Sequence, residues 1–217
     1  MKKNNTWIKV VIIIIILELV VGGIIFAYRK LNSNDNSIST DDKVVKDLYE
    51  KVAYNDIESL DVMNTRTMLY YGYKNTDNID TIDCDTVNVM DDTTGYTCED
   101  ETDFIKRSDI EDTIKDIYGP DTNIENISFE TDANHYAFFD AINDGYAIYT
   151  KEEEVSVDPV NMNLKNATLD DDGNIIITVE VLNGVFGTVE DTYDFTFTKD
   201  KDNYYLTKKE VVANKED

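Results

Sequence analysis

From Val10 to Ala27 the chain reads VVIIIIILELVVGGIIFA, an apolar run broken by one charge, Glu18. At ~1.5 Å rise per residue, a helix over 10–28 crosses a hydrocarbon core about 30 Å thick. The pattern predicts an uncleaved transmembrane signal anchor over 10–28, because the run exceeds a signal-peptide core and bulky Ile25 spoils a small-residue cleavage site before Ala27. A short basic tail, 1–9, carries Lys2, Lys3 and Lys9. The positive-inside bias then keeps this tail in the cytoplasm and the rest of the chain outside it.

Beyond the run the pattern turns polar. Residues 29–40 lack an apolar period and read as a linker, leaving 41–217 as one acidic extracytoplasmic domain. Thr40 is the expected cap of a first helix, with Asp41 and Asp42 in its first turn and Val44, Leu48 and Val52 on one face. A second helix is expected between Ile57 and Tyr73, with Leu60, Met63, Thr67 and Tyr71 on a face. Thr86 to Met90 reads as a short strand. Ser108-Asp109-Ile110-Glu111 matches a capping box, followed by Ile110, Ile114 and Ile117 on one face and a Gly119-Pro120 stop.

The period then becomes two. Tyr136–Ile142 and Tyr146–Lys151 flank Asn143-Asp144-Gly145, a hairpin turn in which Gly145 is expected to supply a positive φ. Strands follow at Asn174–Leu182, Thr188–Thr198 and Tyr204–Val212, each with one apolar face, so an antiparallel meander covered by the helices is predicted. Helices first and a meander last resemble the cystatin-like or NTF2-like α+β arrangement, in which a bent sheet wraps helices. The Ile117-Tyr118-Gly119-Pro120-Asp121 segment, ahead of an aromatic hairpin and behind an Ile-rich anchor, resembles single-pass membrane-anchored proteins of low-GC Gram-positive bacteria. That resemblance implies an anchored, surface-displayed domain and no activity.

Charge narrows the partners. The chain has 45 acidic and 20 basic residues; its first thirty residues carry a net +4, which leaves −29 on the remainder. Such a surface disfavours nucleic acid and anionic headgroups, and favours basic proteins, cationic peptides and loosely held divalent cations. The 14 tyrosines argue against disorder despite the charge. Cys84 and Cys98, the only cysteines, read either as a disulfide that staples a loop or as buried thiols.

Catalytic parts are scarce. His135 is the one histidine and reads as structural, and no nucleophile, phosphate-loop or dinucleotide motif is present. Thr168-x-Asp170-x-Asp172-Gly173 fails the calcium-loop template, because its first position is Thr168 and its twelfth is Val179. Asp170–Asp172 reads as a turn and Glu152–Glu154 as a solvated run. No metal, cofactor or catalytic residue is therefore assigned. Asn126-Ile127-Ser128 and Asn166-Ala167-Thr168 fit the glycosylation triplet.

Within the anchor, Glu18 is costly in hydrocarbon, and Gly22, with the small-xxx-small pair Gly23 and Ala27, permits close helix approach. These four residues are candidates for self-association or for pairing with another membrane protein. The expected function is a non-enzymatic, membrane-anchored binding or accessory domain for a protein or cell-wall component. The alternatives are an acidic-residue hydrolase and a membrane-embedded regulator acting through Glu18.

Overall fold

The computed structural model describes residues 36–54 and 59–212. The expected span at 10–28, with Glu18, Gly22, Gly23 and Ala27, lies outside them. Among the described residues no helix is long and apolar enough to cross a membrane.

The fold is α+β with antiparallel pairing throughout. Three helices, α1 (Lys43–Glu50), α2 (Thr65–Asn75) and α3 (Arg107–Tyr118), accompany eleven strands among the described residues. Sheet A has five strands in the order β1 (Ser37–Ile38), β8 (Val160–Leu169), β9 (Ile175–Asn183), β10 (Val189–Asp200), β11 (Asn203–Val211). Sheet B has the order β2 (Asp80–Asp83), β4 (Glu101–Lys106), β7 (Gly145–Lys151), β6 (His135–Asp140), β5 (Phe129–Glu130), with β3 (Tyr96–Thr97) also paired to β7. The expected meander is sheet A, and the aromatic hairpin belongs to a second sheet in place of one continuous bent surface.

The helices form a middle layer. Helix α3 packs against β11 of sheet A and β4 and β7 of sheet B. Helix α2 sets Tyr73 edge-on to Phe129 of β5, with ring centroids 6.4 Å apart. Every residue of α2 from Thr67 to Gly72 is buried, as expected of a helix enclosed on all sides. Gly72 allows α2 to lie close against α3: a Cβ there would sit 2.6 Å from Ile114 Cγ1. Inward residues of sheet A, Ile175, Ile177, Val179, Val181, Phe195 and Phe197, complete the core from the other side.

Several local expectations are corrected. Pairing begins inside the stretch read as linker, where Ser37 and Ile38 face Thr168 and Ala167. Asp42, not Thr40, caps α1 by accepting from the Val44 amide at 2.8 Å, and the buried face is Val45, Leu48 and Val52 while Val44 is exposed. Helix α2 starts at Thr65, capped by Asn64, so Leu60 and Met63 lie ahead of it and are exposed. Helix α3 keeps Ile110, Ile114, Ile117 and its Gly119 stop, but it begins at Arg107 without a side-chain cap. Ser108 is already helical, and Glu111 pairs with Arg107 at 2.6 Å instead of reaching back. At the hairpin, Asp144 holds the positive φ of 54°. Gly145 is needed for space, since a Cβ there would lie 2.5 Å from Ile105 O.

Candidate functional site

Cys84 and Cys98 form a disulfide, with Cα atoms 5.8 Å apart. The chain they close is tied to sheet B at several points. Cys84 opens a single 3-10 turn, and β3, just before Cys98, pairs with Thr150 and Lys151 of β7. The stretch read as a strand over Thr86–Met90 makes only one bridge, Val89 to Asp140. That bridge is secured by a carboxylate. Asp140 is fully buried and accepts from the Asn88 amide at 2.7 Å, the Ile142 and Asn143 amides at 2.9 and 3.0 Å, and Asn143 Nδ2 at 2.7 Å. Asn143 Nδ2 also donates to Thr86 O at 3.0 Å. Burial pushes the Asp140 carboxyl up, but the amides of Asn143, Asn88 and Ile142 and the Asn143 side chain outweigh it and hold the group below the ordinary carboxylate range.

Under this loop the outer face of sheet B is aromatic. Phe138 is buried yet stands apart from the main core. Its ring lies 4.8 Å from Tyr136, 5.5 Å from Tyr96 and 5.0 Å from Tyr149, and Tyr96 and Tyr136 are 5.4 Å apart. Strand β6 reads HYAFFD, apolar on both faces, because one face meets the helices and the other meets the loop.

Between the loop and the sheet lies an open groove of about 530 Å³, with Tyr96, Tyr136 and Phe138 among its lining and Asp91, Asp92 and Met90 contributed by the loop. Ser128, just ahead of β5, donates to Asp91, accepts from the Phe139 amide at 3.0 Å, and so joins loop to sheet. Arg66, in the first turn of α2, lines both this groove and an adjoining hollow of about 310 Å³ that also contains Ser59, Asn64, Glu130 and Tyr136. Burial pushes the Tyr136 phenol up; Arg66 opposes this, while Tyr96, Asp91 and Glu130 add to it. The Tyr96 phenol is raised by burial and then by Glu130. The groove thus offers ring faces, two loop carboxylates and a single guanidinium, and the adjoining hollow adds Glu130.

The other sequence candidates fall elsewhere. His135 Nδ1 contacts Asp132 Oδ1 at 2.8 Å at the start of β6. Asp170 builds a turn, accepting from the Asp172 and Asn174 amides at 2.9 and 2.8 Å. Glu152–Glu154 is exposed. Among the described residues no group of three or more His, Cys, Asp or Glu side chains is placed to hold a metal ion. Asn126 of the first glycosylation triplet lines the groove, and Asn166 of the second is exposed on β8. Sequence reasoning named the disulfide but missed the groove. The signal available was the two-faced apolar pattern of β6 beside a cysteine-bounded Asp- and Thr-rich segment.

The chain matches no family model, no curated protein and no solved structure.

Proposed function

We propose that the protein is a single-pass, membrane-anchored binding module, held by 10–28, whose domain at 41–217 stands outside the cytosol and receives a ligand without transforming it. The aromatic groove carries this reading: it lies within the size range of small-ligand sites, with apolar walls and a few convergent polar groups. The disulfide supports the extracytoplasmic placement, because such bonds persist in oxidising compartments. A four-stranded meander packed on helices supports the cystatin-like or NTF2-like resemblance for the part of the fold around sheet A. The partners in this reading are the membrane and a protein or wall component, with self-association through Glu18, Gly22, Gly23 and Ala27.

The test is capture. Full-length protein in nanodiscs retains ligand from wall-fragment and peptide panels, and Tyr136→Ala with Tyr96→Ala lowers retention at least tenfold while far-UV circular dichroism stays unchanged. Turnover of any ester, peptide or glycan in the same panels would replace this reading with an enzymatic one.

A further inference from the structure

We propose that the groove and its adjoining hollow take an extended cationic peptide segment, its Lys or Arg side chains lying over the Tyr96, Tyr136 and Phe138 rings and meeting the carboxylates of Asp91 and Asp92 in the groove and of Glu130 in the hollow. This inference rests on the binding-module reading and names its ligand. Charge complementarity decides the class. Three carboxylates line the groove and its adjoining hollow against one guanidinium, Arg66. The chain beyond residue 30 carries −29, a field that draws cations toward the domain and repels polyanions.

Aromatic faces beside carboxylates suit a cation that keeps its charge while shedding part of its water. The same chain holds a cation against rings internally: Lys209 Nζ lies 4.2 Å from the Tyr193 ring centroid and 5.6 Å from that of Phe195, in a residue only 4% exposed. Met90, 89% exposed on the loop rim, gives a deformable apolar contact for residues between the charged ones. Arg66 and Asn126 supply donors suited to the carbonyl groups of an extended backbone. A neutral glycan shares the stacking faces and can donate hydroxyls to the three carboxylates, but it gains nothing from their charge.

Titration of full-length protein in zwitterionic nanodiscs with fluorescent Ac-(Lys-Ser-Leu)3-NH2, its Glu counterpart and a neutral chitin oligosaccharide tests the assignment. The cationic peptide binds, the Glu peptide does not, and raising NaCl from ~50 to ~500 mM weakens binding at least tenfold. Asp91→Asn with Glu130→Gln weakens binding at least tenfold, whereas the charge-matched change Glu153→Gln with Glu154→Gln on the exposed run alters it less than twofold. Equal loss in both pairs would show general surface attraction and overturn the proposal. Oligosaccharide binding abolished by Tyr136→Ala would overturn it too, yet leave the binding-module reading standing. Failure of all three probes would count against both.

Discussion

A carboxylate sealed from solvent that gathers four hydrogen bonds concentrates the position of a whole loop in one side chain, Asp140. Its donors are three main-chain amides and one side-chain amide, so Asp140→Asn sets an NH2 group against groups that also donate. We expect a loss of ~3 kcal/mol, as for a buried charged acceptor removed from its donors, read by urea denaturation. The sign of the pH effect follows from the lowered pKa. The stabilisation is complete above the unfolded-chain value of about 4 and is lost as pH falls through the lower folded value. Melting temperature therefore falls between pH 5 and 3 in the wild type, and the Asn variant lacks that part of the slope. Tyr146 presents the opposite case. Its hydroxyl is buried and has no hydrogen-bond partner among the described residues, while its ring packs on Phe129 and Phe139 at 5.4 and 5.3 Å. Tyr146→Phe keeps the ring and removes an unsatisfied group, so stability stays level or rises by ~1 kcal/mol, seen as a higher urea midpoint.

Elements with one clearly buried face were legible, as were the turn-bounded strands of the aromatic hairpin, whereas α2 was misplaced at its start and β8 was missed. Ile175, Ile177, Val179 and Val181 alternate cleanly in β9, and Ile110, Ile114 and Ile117 recur at helical spacing in α3. Helix α2 has no polar face along Thr67–Gly72, so its period was weak and its start was placed too early. Strand β8 went unseen because its register shifts between Leu164 and Asn166, which breaks the alternation of Met162, Leu164 and Ala167. The loop over sheet B was unreadable for another reason: beyond short local turns at Asp83–Val87 and Asp92–Tyr96, it is positioned by Asp140 and Asn143, distant in sequence. Its stapling predicts that Cys84→Ser with Cys98→Ser costs ~3 kcal/mol by freeing a short loop in the unfolded chain. Hydrogen exchange at the Asn88 and Tyr96 amides should accelerate in that variant while the β9 and β10 amides stay protected.

For the molecule as a whole, two sheets enclosing helices give a domain whose proposed binding surface is the outside of sheet B, while the described chain begins pairing at the edge of sheet A, at Ser37 and Ile38. The proposed anchored, outward-facing arrangement predicts a definite labelling pattern. In intact cells a membrane-impermeant maleimide reacts with Cys84 and Cys98 only after a reductant is added; labelling confined to lysed cells would place the domain inside. Release of the domain into the medium without its first thirty residues would instead show that 10–28 is removed.

The pairing at Ser37 and Ile38 has a mechanical side. Among the described residues, two rungs, to Thr168 and Ala167, pair the segment at Ser37 and Ile38 with sheet A. If, as proposed, 10–28 is held in a membrane and a partner sits on the opposite sheet, tension between them reaches those rungs before the layered core. In that arrangement they are the first to open, releasing a few residues at ~3.5 Å each as slack ahead of the domain.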